Sequence, residues 1–332
     1  MSGDAPVACI GGGVIGGGWA ARFLLYGRDV RLYDPHPEAE RRMHEVLENA
    51  RRAQQALWGG QAPAEGRLVW CADIAETVAG VCHVQESVPE QLDLKRQVYG
   101  EIEAGCAPDT PIGSSTSGFK ASQLAAGLDR PERLFVAHPF NPVYLLPLVE
   151  LAKPDAGDDA ALQTSAALFR AVGMRPLVLR KEIDAHIADR LMEAVWREAL
   201  WLVRDGVATT EDVDEAIRLG FGLRWAQMGL FETYRIAGGE AGMAHFLAQF
   251  GPALAWPWSR LTDVPDLDAT LIERIGRQSD AQSGHRSIRE LERLRDENLV
   301  AILQALRAAD GGRGTGAGAV LNAFAAEGAG AA

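Results

Sequence analysis

Ser117, His138 and Glu150 are residues of the types that a proton-removing site uses, set 21 and 12 positions apart. A histidine ionises near neutrality, so it can take a proton from an alcohol. A carboxylate on its other ring nitrogen fixes the tautomer and stabilises the imidazolium. A serine hydroxyl can bond the substrate oxygen. Together they would serve the oxidation of an alcohol, in which a proton is removed as hydride leaves. Spacing alone equally permits a capping serine, a buried histidine and a surface glutamate.

A second constellation concerns phosphate. Val7-Ala8-Cys9-Ile10 runs into Gly11-Gly12-Gly13-Val14-Ile15-Gly16, and Gly11, Gly13 and Gly16 fit G-x-G-x-x-G. The first glycine permits a tight turn, the second lets backbone approach a pyrophosphate, and the third lets helix and strand pack closely. A helix from Val14 would then face the phosphates with free N–H groups. Asp29 to Tyr33 reads as a second strand and ends at Asp34, 21 residues past Gly13. An acid there takes the adenosine ribose hydroxyls and repels a 2′-phosphate. These residues predict NAD as cofactor, in preference to NADP.

The elements that must hold these residues follow from periodicity. Residues 37–57 read as a charged helix, Leu68–Trp70 and Val81–Gln85 as strands, and 92–104 as a helix. Pro111-Ile112-Gly113 leads into the polar turn Ser114–Gly118. Leu134–Ala137 is a strand ending at His138-Pro139-Phe140-Asn141-Pro142. Leu148–Leu151 is extended, 160–172 helical, and Leu177–Leu179 a last strand. Alternating strands and helices predict an α/β fold, with an N-terminal Rossmann-type doubly wound sheet. Ligands of such sheets bind outside the carboxyl ends of the strands, where Ser117 and His138 both fall.

After Asp184 the period becomes helical, with Ile187, Leu191, Val195 and Leu202 near helical spacing. Thr209 to Asp212 looks like a capped helix start, and 298–308 is helical. The expected division is a dinucleotide-binding domain over 1–184, an all-helical C-terminal domain over 185–309, and a flexible Gly/Ala-rich tail over 310–332. At most one helical turn, Val320–Ala325, is expected in the tail.

Composition narrows the partners. The 332 residues are enough for two domains, and 47% apolar content supports a real core. A net charge of −12 argues against nucleic acid and anionic membranes. No apolar run approaches the ~20 residues of a membrane span. The first six residues lack the basic start and apolar stretch of a signal peptide. Cys9, Cys71, Cys82 and Cys106 are scattered without C-x-x-C, which predicts reduced thiols, no metal site and a cytoplasmic protein.

Segments Ile10–Ala20, Ser114–Gly118, His138–Val143 and Leu148–Glu150 resemble the 3-hydroxyacyl-CoA dehydrogenase superfamily over about residues 5–308. The resemblance implies that His138 is the base, Glu150 its partner and Ser117 a substrate and nicotinamide contact. It implies cofactor contacts from Glu90, Lys95 and Asn141, and a homodimer formed through the helical domain. Two longer runs, Glu182–Arg190 and Arg224–Tyr234, point within that family to a small substrate, L-carnitine, oxidised at C3. Another small 3-hydroxy acid (L-gulonate or 3-hydroxybutyrate), a 3-hydroxyacyl-CoA, and a structural role like that of lens proteins are the alternatives. The chain departs from the family twice. Segment 37–67 is short, with Arg41, Arg42, Arg51 and Arg52 but no lysine, which puts acyl-CoA in doubt. Asp189 stands where the family usually has Asn, and an added acid would favour a cationic substrate or simply pair with Arg190. For the trimethylammonium, Trp225, Phe231, Glu232 and Tyr234 offer aromatic faces and a carboxylate, with Phe140 and Tyr144 near the base. Arg224 offers a fork for the substrate carboxylate. Aromatics at such spacing also suit a core or a dimer interface.

Overall fold

Strand β1 (Val7–Ile10) is apolar at every position. Its period-two alternation sends Val7 and Cys9 into one buried cluster and Ala8 and Ile10 into another. A strand apolar on both sides belongs at the centre of a sheet covered on both faces. In the computed structural model β1 lies between β2 (Val30–Tyr33) and β4 (His83–Glu86), parallel to both. The other strands are β3 (Leu68–Trp70), β5 (Ile112–Ser114), β6 (Leu134–Pro139), β7 (Leu148–Ala152) and β8 (Arg175–Val178). The order is β3-β2-β1-β4-β5-β6-β7-β8, so the sheet reverses direction of growth between β1 and β4, where doubly wound sheets take their ligands. All neighbours are parallel except β6 and β7. The structure describes residues 5–154, 159–237, 242–250, 259, 268–271, 273–274, 285, 287–310 and 317–329.

Helices α1 (Val14–Leu25), α2 (Ala39–Trp58), α3 (Ile74–Val78), α4 (Leu92–Gly105), α5 (Ala121–Leu124) and α6 (Ala160–Ala171) connect the strands. The short α3 and α5 lie below the length at which a helical period is readable, and the sequence reading passes over both. Asp73 caps α3 by accepting the Glu76 N–H at 2.8 Å.

The chain divides into two units, Met1–Ile187 with Arg293–Ala332, and Ala188–Glu292. This changes the expected organisation at both ends. The first boundary falls at 187/188 instead of 184/185. The last forty residues return to the first unit, and the expected flexible tail carries a helix, Ala317–Ala329. Leu321 of that helix is buried, and Phe324 meets the rings of Tyr26 and Trp58 at 4.8 and 5.5 Å. Asn322 donates to the Arg307 carbonyl at 2.9 Å, and the Arg307 guanidinium lies 4.3 Å over Trp58. Glycine and alanine content suggested flexibility. Alanine is also the best helix former, and Leu321 and Phe324 give one face enough apolar surface to hold. Residues 311–316 of the glycine run lie outside the described residues.

The second unit contains helix α7 (Ala188–Arg204), a helix at Thr210–Glu215 and further helices at Gly222–Ala237 and Gly242–Phe250. Thr209 and Asp212 form the reciprocal capping box expected of that start. Among the described residues of this unit there is no strand, and in the whole described chain no helix is long and apolar enough to cross a membrane.

Candidate active site

The antiparallel pairing of β6 and β7 sets His138 directly opposite Glu150. Cross-strand neighbours have their Cβ atoms about 5 Å apart, within reach for a hydrogen bond between these two side chains. His138 Nδ1 lies 3.1 Å from Glu150 Oε2, and His138 Nε2 lies 3.2 Å from Ser117 Oγ. A carboxylate only accepts, so the ring proton sits on Nδ1 and Nε2 carries the lone pair. Ser117, exposed at the end of the loop after β5, donates its hydroxyl to that lone pair. The order from inside outward is a fully buried Glu150, a His138 that is 4% exposed and an open Ser117.

A turn from the end of the first unit completes the enclosure. The Ile187 N–H donates to Glu150 Oε1 at 3.0 Å, so both carboxylate oxygens are held. Ala185 and His186 reach this position with φ of 59° and 52°. Consecutive non-glycine residues in the left-handed region carry strain of about 1–3 kcal/mol each. The buried His186 donates Nε2–H to the Thr116 carbonyl at 3.1 Å, and its ring centroid is 5.1 Å from that of His138. Phe140 stands edge-on to His138 at 5.1 Å.

Glu90 and Lys95, the expected cofactor contacts, are held by groups of this chain. Glu90 Oε1 accepts the Thr116 hydroxyl and the N–H groups of Ser117 and Gly118 at 3.2 and 3.0 Å. Partial burial pushes the Glu90 carboxyl up, but Thr116, Gly118 and Lys95 outweigh it and hold the group below its ordinary value. Glu90 thus braces the turn that presents Ser117. Lys95 is 1% exposed, with its ammonium on Glu86 Oε1 at 2.8 Å, the Val88 carbonyl at 3.2 Å and Glu90 Oε2 at 3.3 Å. The first two are hydrogen bonds and the third an ion pair, all made within the first unit. Glu86, fully buried, also accepts the hydroxyls of Tyr99 and Ser114. Burial first, and the Glu86 charge next, push the Tyr99 hydroxyl well above its ordinary value. Sequence reading missed Glu86, Tyr99 and His186, because isolated polar residues in apolar or helical runs give no periodic signal. Asn141 is exposed at the end of β6.

The glycine loop fits a dinucleotide. Gly11 has φ of +94°, and a Cβ there would lie 2.7 Å from the Ser87 carbonyl oxygen. A Cβ on Gly16 would lie 1.9 Å from the Gly11 carbonyl oxygen, so α1 packs against the loop only because that atom is missing. Gly13 faces open space, and no side chain caps α1 there. That leaves room and N–H groups for a pyrophosphate beside Gly12, Val14 and Ile15. Asp34 Oδ2 accepts the Gly12 N–H at 2.7 Å and Oδ1 the His36 N–H at 2.8 Å. Both oxygens keep a lone pair for ribose hydroxyls.

Asp189, Arg224, Trp225, Phe231 and Tyr234, expected to contact substrate, belong to the second unit. Asp189 occupies the first turn of α7, where an acid suits the helix dipole, and is half-buried. Arg224 is exposed, and the helix carrying it is interrupted at Gly229, with φ of 70°. Trp225 meets Phe221 at 4.5 Å and, with Trp196, Met192 and Asp214, lines an apolar groove of about 700 Å³. Phe231 is 73% exposed, and Tyr234 stacks on Phe246 at 4.8 Å. The aromatics of 224–234 therefore fall in three places. In the first unit, the Tyr144 hydroxyl donates to Asp296 at 2.5 Å, a packing role and not an open aromatic face.

The sheet with its glycine loop has the form of a dinucleotide-binding module, and a hydrogen-bonded Ser–His–Glu line lies at its edge. Residues 6–183 match the family described as 3-hydroxyacyl-CoA dehydrogenase, NAD binding domain, and residues 186–268 that described as 3-hydroxyacyl-CoA dehydrogenase, C-terminal domain. The chain belongs to the 3-hydroxyacyl-CoA dehydrogenase family. It is 61% identical over 315 residues to an L-carnitine dehydrogenase/betainyl-CoA thioesterase of Ruegeria pomeroyi, covering 95% of this chain and 64% of that one. The chain thus spans a little under two thirds of that relative's length. It is 54% identical to an L-carnitine dehydrogenase of Mesorhizobium japonicum, covering 94% of this chain and 86% of that one. A solved structure of a 5-formyl-3-hydroxy-2-methylpyridine 4-carboxylic acid 5-dehydrogenase, an NAD-dependent dismutase, aligns with TM-score 0.76 and 28% identity, covering 91% of this chain and 98% of that one.

Proposed function

We propose that this chain oxidises the C3 hydroxyl of L-carnitine to the ketone, with NAD as cofactor. The observation that carries the chemistry is the line Glu150–His138–Ser117 at the carboxyl edge of the sheet that also bears the glycine loop. NAD, when bound, supplies the acceptor for the hydride. His138 Nε2 takes the hydroxyl proton. Glu150, fixed by Ile187, keeps Nδ1 protonated and stabilises the positive ring that results. Ser117 holds the substrate oxygen against Nε2, and Glu90 holds Ser117. The choice of carnitine rests on the names of the relatives.

An acyl-CoA is a poorer fit. Of the arginines near α2, Arg41 is bonded to Glu38 and Glu45, and Arg51 pairs twice with Glu65, so these charges are already matched by acids. A purely structural role would not require the strained 185–186 turn or an ordered base. We further infer a homodimer through the helical unit, where Phe231, Ile236 and Leu247 are 73%, 66% and 52% exposed. Sedimentation is expected to give a dimer that Phe231→Glu disrupts. The function is tested by NADH formation with L-carnitine, 3-hydroxybutyrate, L-gulonate and 3-hydroxybutyryl-CoA at matched concentrations. Carnitine is expected to give the largest kcat/KM, and a larger value for any other member of the panel would overturn the assignment.

A further inference from the structure

A chain of buried polar groups runs through the sheet from α6 to the glycine loop. It links Ser165 Oγ to His83 Nδ1 at 3.0 Å, His83 Nε2 to Gln85 Oε1 at 3.2 Å, Gln85 Nε2 to Ser115 Oγ at 2.8 Å, and Ser115 Oγ to Ser87 Oγ at 2.8 Å. Trp19 Nε1–H also donates to Ser115 Oγ, at 3.0 Å. His83 is 1% exposed and Gln85 fully buried, so each proton in the chain needs a defined place.

Counting donors and acceptors fixes the sense of every bond. Gln85 Nε2 lies 3.4 Å from the Ala137 carbonyl, which only accepts, so the amide nitrogen is on that side and the amide oxygen faces His83. His83 Nε2 therefore carries the ring proton. Burial pulls the imidazole down to about 4, against the upward pull of the Gln85 bond, so the ring is neutral and Nδ1 accepts from Ser165. Ser115 Oγ has two lone pairs and receives two N–H groups, from Gln85 and Trp19. Its own proton has one acceptor left, the Ser87 oxygen. The Ser87 proton is thereby turned away from the protein interior, and it meets no acceptor among the described residues.

The place of Ser87 gives this proton a use. Ser87 follows β4 directly and presses on the first and third glycines. Its carbonyl lies where a Cβ on Gly11 would stand, and its own Cβ would be 3.1 Å from one on Gly16. Its side chain is half-buried, and the glycine loop it presses on is open at Gly13. We propose that Ser87 donates a hydrogen bond to an acceptor oxygen of bound NAD, with the direction of that bond set by the relay through Gln85, Ser115 and Trp19. Ser115 also precedes the turn of Thr116 and Ser117, so the same relay anchors the loop that presents the substrate contact.

The inference rests on NAD as cofactor, and NADH binding to the wild-type chain tests that part separately from Ser87. Kd for NADH is measured by fluorescence titration, with Tm followed in parallel. Ser87→Ala is expected to raise Kd roughly 3- to 10-fold, the worth of one hydrogen bond, with Tm unchanged. Ser165→Ala removes only the remote donor and is expected to leave Kd within about twofold, since the amide of Gln85 is fixed by Ala137. Trp19→Phe frees a lone pair on Ser115, lets the Ser87 proton turn inward, and is expected to shrink the effect of Ser87→Ala in a double-mutant cycle. An unchanged Kd for Ser87→Ala would overturn the contact. An undiminished Ser87→Ala effect in the Trp19→Phe background would overturn the relay.

Discussion

Glu150 is fully buried and His138 4% exposed, whereas Trp225 is 37% and Phe231 73% exposed. The sheet edge holds its candidates by short bonds from several directions. Glu150 receives His138 and Ile187, Ser117 reaches His138, and Glu90 receives the 116–118 turn. Among the described residues, the helical unit holds these aromatics by ring contacts and packing, around a groove and along an open helix interrupted at Gly229. The difference separates two tasks. Moving a proton needs atoms fixed within tenths of an ångström, and backbone register supplies that inside one sheet. Choosing among small substrates needs only a surface of suitable chemistry.

If that division holds, breaking the sheet edge destroys turnover without greatly changing cofactor binding. His138→Ala is expected to lower kcat by about 10²–10⁴-fold, the range for loss of a general base. NADH binding, followed by fluorescence, should stay near wild type. Glu150→Gln should give a smaller loss, because the ring nitrogen remains bonded but the imidazolium loses its charge partner. Retained turnover in His138→Ala would remove the mechanism.

The buried relay behind the edge makes a stability statement. His83 ionises at 6.5 when free and at about 4 when buried. Between these values the unfolded chain binds the proton and the folded chain does not. Stability is therefore level above about 6.5 and falls as the pH drops toward 4, by on the order of 3 kcal/mol. Urea unfolding of the wild type across this range should show the fall, and His83→Gln should flatten it. A slope unchanged by His83→Gln would assign the loss to other groups.

Asp34 tests the cofactor half of the edge. Its oxygens are held by the Gly12 and His36 N–H groups beside the glycine loop. Asp34→Ala is expected to raise KM for NAD by roughly 10- to 100-fold, the worth of charge-assisted hydrogen bonds, and to narrow the preference over NADP. A variant that keeps its full preference would move the discrimination elsewhere in the loop.

The same contrast explains what is legible in the sequence. The glycine loop, Asp34 and the strand-ending positions of Ser117 and His138 were legible because each is a residue type tied to a turn or a strand end. The strands were legible because both faces are apolar. The antiparallel sense of β7, which puts Glu150 opposite His138, was not, since an apolar run carries no direction. Nor was the docking of Ala317–Ala329, since alanine and glycine serve helix and linker alike. The burial of Lys95 under Glu86 was not legible either, because it depends on side chains brought together from β4, β5 and α4. Arg224 to Tyr234 read as one cluster, and the break at Gly229 divides it.

That division sharpens the smallest expected effect. A trimethylammonium has no N–H to donate and is held against aromatic faces, at ~0.5–2 kcal/mol per face. Trp225 has the surroundings for this, with Phe221 at 4.5 Å and Asp214 and Trp196 on the same groove. Phe231, open on the far side of the break, suits the subunit contact proposed above. Trp225→Leu is therefore expected to lower kcat/KM for L-carnitine by roughly 2- to 30-fold and to leave 3-hydroxybutyrate, which has the same hydroxyl and carboxylate but no cation, within about twofold. Phe231→Leu should weaken the dimer and affect both substrates alike. Equal losses on both substrates for Trp225→Leu, accompanied by a lower Tm, would return the groove to packing and leave the cation to be recognised elsewhere. A selective loss would place substrate choice on the helical unit while the sheet edge performs the chemistry.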